Sequence, residues 1–265
     1  MMNSGVFSRF RVLGEGLGVC AKYLLLYPLL APRRTVHFLW MLGHQILSYN
    51  RSEAHAQIPS KTLEAIFPGI ERVEVTLADA SYRDGNMTTR ELYTLCALAR
   101  HLQTRSVLEI GTFDGLVITH LARNTDSEAH LVTVDLGPED LQHLRWPLAP
   151  GEATYVKKPT IGEKIDQLPP GERSRIKQLY GDSTQLDFQS YYNQVDLVFI
   201  DGSHRYEYVE HDSQEAFRMR SPQGIIVWHD YLSWPDVTRY LNRLRHQYPI
   251  FHIEGTSFVV YQPET

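Results

Sequence analysis

From Thr88 onward apolar residues recur at helical spacing, at Leu92, Leu95, Cys96, Ala99 and Leu102, and Thr88 or Thr89 is placed to cap the helix they predict. The period then changes. Ser106–Ile110 is a short apolar run that stops at Gly111, and comparable runs occupy His130–Asp135, Ile176–Tyr180, 195–201 and 224–229. Continuous apolar runs of this length suit strands buried on both faces. Helical spacing separates most of them, as over 206–220, where Tyr206, Val209, Ser213, Ala216 and Phe217 share a face. Strands alternating with helices imply an α/β fold, a doubly wound parallel sheet covered on both sides. The last stretch breaks the rhythm: 250–254, then Gly255-Thr256, then 257–262 predict a hairpin with a two-residue turn and an antiparallel final strand.

Ahead of this lies a different pattern. Residues 6–50 are rich in Leu, Val and aromatic residues at mixed spacing and are broken by Pro28 and Pro32, which predicts two or three helices with a sharp turn. Pro59, Pro68 and Gly69 punctuate the next stretch of chain and place a boundary near residue 75. The expected organisation is an N-terminal helical extension, 1–75, and an α/β domain, 76–265.

Charge sharpens that division. The 265-residue chain has a formal net charge of −5 and lacks the basic footprint of a protein that grips a phosphate backbone, so nucleic acid is not an expected partner. Residues 1–52, however, hold six Lys/Arg against Glu15 alone, a net of +5 that leaves −10 on the rest. Two accounts of this basic, apolar leader compete: a helical cap that packs on the domain or forms a homo-oligomer, and an element resting on an anionic membrane surface. The longest apolar stretch, 17–31, contains Lys22 and Pro28 and is shorter than the about 20 residues of a spanning helix. Cys20 and Cys96 show neither CxxC nor metal-ligand spacing, which fits a reducing compartment and a cytoplasmic location.

The candidate chemistry gathers where strands end. Glu109-Ile-Gly111-Thr112-Phe113-Asp-Gly115 lies where the first strand gives way to a helix, so glycine lets the backbone approach a ligand and the helix N-terminus offers free N–H groups to an anionic moiety. Asp135 closes the second strand 24 residues after Gly111, the spacing at which an acid accepts from a ribose diol. Gly181-Asp182-Ser183 closes the third. Residues 113 and 116 are Phe and Leu, so the turn is not the G-x-G-x-x-G of a pyrophosphate site, and a nucleoside without pyrophosphate fits better. Glu109 would repel phosphate and suit an amine. Asp201 and His204 end the fourth strand, His229 and Asp230 the fifth; neighbouring strands would bring the four together to bind a divalent cation or supply a general base. His211 and Asp212, on the following helix, read as a solvated face.

With these motifs in order, the sequence resembles the class I S-adenosylmethionine-dependent methyltransferases. The resemblance covers about residues 78–262 and rests on Val107-Leu-Glu-Ile-Gly-Thr-Phe-Asp-Gly115, Val132-Thr-Val-Asp135, Gly181-Asp-Ser183, Asp196-Leu-Val-Phe-Ile-Asp-Gly-Ser-His204, Trp228-His-Asp-Tyr231 and the terminal hairpin. It is strongest toward small-molecule O-methyltransferases related to catechol and macrolide-sugar enzymes. It implies a Rossmann-like methyltransferase sheet with S-adenosyl-L-methionine as cofactor. In that reading Glu109, Gly111, Thr112, Phe113 and Gly115 shape the methionine end, Asp135 takes the ribose, Asp182 and Ser183 flank the adenine, and Asn86-Met87 fold over the cofactor. Asp201 faces the sulfonium end or a metal. Relatives place a divalent cation such as Mg²⁺ between an Asp after the fourth strand and an acidic pair after the fifth, which implies Asp201, His229 and Asp230 here; the histidine departs from an all-oxygen set and suits a transition metal better. A metal-free mechanism with His204 or His229 as base and Asp230 beside it is the competitor.

The expected reaction is methyl transfer to a hydroxyl of a small-molecule or glycan acceptor, with transfer to nitrogen as an alternative. A nicotinamide-dependent reductase is a second class, opposed by the missing pyrophosphate turn and by the hairpin. The insertion 137–175, with Trp146, Pro147, Pro150 and Lys157-Lys158, is expected to include a helix and to contact the acceptor.

Overall fold

A computed structural model of the chain describes residues 56–78, 85–149, 151–156 and 161–263, all within one compact unit, 52–265. Residues 1–55, and with them most of the expected helical extension, lie outside the described residues, as do Pro150 and Lys157-Lys158.

The strands are β1 (Ser60–Lys61), β2 (Ser106–Ile110), β3 (His130–Asp135), β4 (Ile176–Tyr180), β5 (Val195–Ile200), β6 (Arg220–Trp228), β7 (Ile250–Ile253) and β8 (Val259–Tyr261). They form one sheet in the order β1-β7-β8-β6-β5-β2-β3-β4. All neighbours are parallel except β8, which runs antiparallel between β6 and β7. The helices are α1 (Leu63–Ile66), α2 (Thr89–His101), α3 (Leu116–Asn124), α4 (Ala153–Val156), α5 (Pro170–Arg173), α6 (Tyr206–Met219) and α7 (Pro235–Leu244). This is the Rossmann-like α/β sheet with an antiparallel last strand that the alternating pattern implies.

The strand period of two sorts side chains onto the two faces. Val107 of β2 and Leu197 and Phe199 of β5 join one apolar cluster with α2 and α3, through Leu92, Leu95, Leu98, Ile118 and Leu121. Leu108, Ile110, Val198 and Ile200 join the other with α6 and α7, through Val209, Met219, Tyr240 and Leu241. Both faces are buried, which is why these strands are apolar throughout. Thr88 caps α2 with a reciprocal box: its side chain accepts from the Glu91 N–H, and Glu91 accepts from the Thr88 N–H at 2.9 Å.

Three expectations change. β6 begins at Arg220, because Arg220 pairs with Val195 across an irregularity ahead of the regular register. The terminal hairpin does not turn on two residues: 254–258 link β7 to β8, held by Thr256, whose N–H donates to Ile253 C=O at 3.2 Å and whose Oγ1 accepts from Phe258 N–H at 3.0 Å. Nor does residue 75 bound the domain. β1 pairs with β7, Ile58, Ile66, Phe67 and Ile70 are buried in the two cores, and the Thr76 N–H and C=O both bond the Asn124 amide at 2.8 Å. Proline and glycine punctuation there shapes turns within one body.

Phe67→Ala therefore tests where the domain starts. Phe67 is 1% exposed, and its truncation is expected to cost about 3–5 kcal/mol in denaturant unfolding. A loss under about 1 kcal/mol, the range of surface positions, would return this segment to an extension.

Candidate active site

The loops that follow β2, β3, β4, β5 and β6 meet along one edge of the sheet, where open α/β sheets take their ligands. Closest packing occurs at Gly111, whose φ is 107° and where a Cβ would stand 2.0 Å from the Asp201 carbonyl oxygen. Only glycine lets the turn after β2 pass the end of β5. Phe113, also left-handed at φ 48°, donates its N–H to Asp135 Oδ2 at 2.6 Å, and Gly115, at φ 86°, opens α3.

Beneath this turn Glu109 is fully buried. Its Oε2 accepts from Thr133 Oγ1, which lies 2.6 Å from Thr112 Oγ1, while Oε1 has no hydrogen-bond partner among the described residues. Burial pushes this carboxyl well above its usual range. An unpartnered acceptor beside a glycine turn is what a ligand amine would complete. Asp135 lies at the end of the next strand with Oδ1 accepting from Leu136 N–H at 2.7 Å, and burial raises it to about 6 against those backbone bonds.

The other expected nucleoside contacts are placed unevenly. Asn86 donates to Asp114 Oδ2 at 3.1 Å and so holds its segment against the glycine turn, whereas Met87 is buried in the apolar core. Asp182 serves the fold heavily: it accepts from Thr184 N–H at 2.9 Å, Arg145 N–H at 2.8 Å and Tyr208 Oη at 3.0 Å, and ties the insertion to the sheet. Ser183 hydrogen-bonds Asp212. That corrects the solvated-face reading of the next helix, since Asp212 is 1% exposed and lies 3.3 Å from His211 Nδ1.

Asp201, His204, His229 and Asp230 do converge. His229 Nδ1 is 2.9 Å from Asp201 Oδ1 and 3.5 Å from Asp230 Oδ2; His204 Nε2 is 2.6 Å from Asp230 Oδ2. The latter is a charge contact rather than an aligned hydrogen bond, since Nε2 meets no acceptor in line. Burial disfavours charge on both rings, yet Asp201 and Asp230 hold His229 well above the imidazole range, and Asp230 with Glu152 raises His204 to about 10. Burial would likewise raise Asp230, but the two imidazoles keep it low; at Asp201 burial prevails over His229 and the carboxyl is raised. Ligand atoms of Asp201, His229 and Asp230 lie within 4.8 Å of one another, a spacing that suits a cation.

Residues 108–231 match the family model of a methyltransferase domain. The chain therefore carries a methyltransferase domain over these residues. Among solved structures it is similar to the O-methyltransferase TomG from Streptomyces achromogenes, which is involved in tomaymycin synthesis and was solved with S-adenosylmethionine; identity is 17%, the TM-score is 0.50, and 76% of this chain and 96% of TomG are covered. It is also similar to an O-methyltransferase from Bacillus cereus in complex with S-adenosylhomocysteine, at 16% identity and a TM-score of 0.47, over 82% of this chain and 96% of that one. No curated protein matches in sequence. Among the described residues no helix is long and apolar enough to cross a membrane.

Two acids of this cluster carry no sequence signal of their place in it. Glu91 sits in the capping box of α2, a T-x-x-E pattern that speaks only of helix chemistry. Its Oε1 nevertheless accepts from Ser257 N–H and Oγ, both at 2.8 Å, and lies 3.6 Å from His229 Nε2. Burial works against its charge, but the neighbouring His229 imidazole and bonds from the Ser257 and Thr88 N–H groups hold it well below the carboxylate range. Glu152, from the insertion, faces His204 Nδ1 at 2.5 Å.

Proposed function

We propose that this methyltransferase moves the methyl group of S-adenosylmethionine to a hydroxyl oxygen of a small-molecule or glycan acceptor. One observation carries the reading: a nucleoside-type half-site, with an unpartnered Glu109 Oε1 and a half-buried Asp135, shares one sheet edge with a proton-handling cluster of Asp201, His204, His229 and Asp230. TomG, an O-methyltransferase of similar fold, supports it.

In this reading Glu109 receives the amine of the methionine end, the 111–115 turn and the N-terminus of α3 face its carboxylate, and Asp135 accepts from the ribose hydroxyls. Asn86 braces the turn through Asp114. When bound, the cofactor supplies an electrophilic methyl on sulfonium, so the chain has only to align it with the acceptor and make the acceptor oxygen a nucleophile. The hydroxyl proton passes to the Asp230 carboxylate, whose Oδ2 lies 2.6 Å from Nε2 of a His204 that Asp230 and Glu152 hold protonated.

A divalent cation would be held by Asp201, His229 through Nδ1, and Asp230, with Glu91 behind Nε2 in the manner of a carboxylate that orients a ligating histidine. It would add Lewis acidity at the acceptor oxygen. Cytoplasmic location belongs to the same reading on sequence grounds alone, as does homo-oligomerisation, with a membrane contact through 1–52 as the competing account of the leader.

Calorimetry with S-adenosylhomocysteine is expected to give saturable binding, and NAD⁺ none; the reverse would mean a reductase. In Asp230→Ala, transfer of labelled methyl into acceptors from a cell extract is expected to fall at least about 10²-fold, with homocysteine-nucleoside affinity nearly intact. Full activity would remove the cluster from the reaction.

Because the ribose donates to a charged Asp135, and burial places that carboxyl at about 6, S-adenosylhomocysteine affinity is expected to fall as pH drops through about 6, with proton release on binding near the midpoint. Asp135→Asn should bind weakly without that pH dependence. A flat wild-type profile between pH 5 and 7 would separate Asp135 from the ribose.

Transfer by enzyme stripped of metal and assayed with a chelator is expected to drop and to recover on adding a divalent cation. Unchanged turnover would leave Asp201 and His229 a purely ionic role.

A further inference from the structure

Glu152 comes from the insertion between β3 and β4, one residue ahead of α4, yet it is 6% exposed and directed at the turn after β5. Oε1 accepts from the His204 N–H at 2.6 Å and faces His204 Nδ1 at 2.5 Å; Oε2 accepts from Ser203 Oγ and from Ala149 N–H, both at 2.8 Å. One carboxylate oxygen thus meets both the backbone and the ring of the same histidine. Trp234 stacks on that ring at 4.4 Å and 8°, which sets its plane. With Nδ1 held and the plane fixed, the ring has no rotation left to it, and Nε2 faces Asp230 Oδ2.

A buried carboxylate needed merely to pin the insertion would be satisfied by Ala149 and Ser203. Turning its second oxygen to a ring nitrogen of the reaction cluster is a different arrangement, the one in which an acid orients a histidine through the nitrogen that does not react.

We propose that Glu152 is a positioning residue of the methyl-transfer step, which holds Nδ1 of His204 so that Nε2 stays turned to Asp230, the carboxylate that takes the acceptor proton. It rests on the transfer reading above. As the O–CH₃ bond forms and the S–CH₃ bond breaks, the O–H proton is left on the Asp230 carboxylate and departs to solvent with the product. Glu152 touches neither the acceptor nor the cofactor. Glu152 thus fixes His204 from the same insertion whose Arg145 and Trp146 are tied to the sheet through Asp182 and Tyr208.

The test compares wild type with Glu152→Gln and Glu152→Asp, using two readouts on protein saturated with S-adenosylhomocysteine or turning over labelled cofactor. The first is the His204 ring N–H resonance, assigned by its loss in His204→Gln; Glu152→Gln should move it upfield, and Glu152→Asp should restore it in part. The second is kcat, expected to fall about 10- to 100-fold in Glu152→Gln, as for other partners that orient a reacting group, while S-adenosylhomocysteine affinity changes by less than about threefold. Unchanged kcat, an unmoved resonance, or affinity falling in parallel with kcat each overturns the positioning role. Should Glu152→Gln not fold, Glu152→Asp is read by the same criteria. A wild-type protein that transfers no methyl, but whose ring resonance moves in Glu152→Gln, would overturn the transfer reading and leave the hold on His204 standing.

Discussion

Four carboxylates, those of the buried Glu91 and Glu152 and of the half-buried Asp201 and Asp230, crowd around two imidazoles at one end of the sheet. Placing so many acids together in a poorly solvated site is costly unless each has a partner. His229 lies between Asp201 and Glu91, His204 between Glu152 and Asp230, so each ring joins two acids from different chain segments. Much of the surrounding backbone is shaped by this network. The long 254–258 link exists to bring Ser257 to Glu91, and Asp230 takes a left-handed φ of 63° while its N–H reaches Ser257 Oγ at 3.3 Å. A non-glycine residue in that region stores strain that its surroundings must hold.

The nucleoside half of the edge obeys the opposite rule. Among the described residues no cation lies beside Glu109, whose carboxyl burial pushes well above its usual range; Asp135 relies on backbone N–H groups. One end of the cleft is thus an ionic network that balances itself, and the other is a set of acceptors short of donors. In the proposed reading, a sulfonium with an amine and a ribose diol would supply donors and positive charge where the protein leaves them out. The close passage of Gly111 beneath Asp201 keeps those regimes adjacent, since any side chain at 111 would force the strand ends apart.

The fold was legible because its signals are local. β2, β3 and β4 fill the apolar runs Ser106–Ile110, His130–Asp135 and Ile176–Tyr180, and strand adjacency then brings Asp201, His204, His229 and Asp230 together. What was illegible depends on partners far along the chain. Glu91 reads as a helix cap because it is one, and its second use requires Ser257, 166 residues later. Glu152 lies in a stretch without periodicity. The boundary near residue 75 failed for a related reason: proline and glycine mark turns, whereas membership of a core is decided by which surfaces Ile66, Phe67 and Ile70 cover. Asp182 stood out for its place at a strand end, and the structure shows it serving the insertion through contacts no spacing could reveal.

The short β1 has a role beyond its two residues. β7 would otherwise be the outermost strand on its side, presenting free backbone donors and acceptors; instead His252 N–H donates to Pro59 C=O and Glu254 N–H to Lys61 C=O, both at 3.0 Å. An open strand of this kind templates intermolecular pairing. Pro59 has no N–H to offer on its outer side, and Gln57 and Ile58 N–H both bond the Tyr231 hydroxyl, at 3.0 and 3.2 Å. The piece of chain that seals the sheet against its neighbours in solution is thereby fastened to the residue next to Asp230, so colloidal behaviour and active-site geometry share a single anchor.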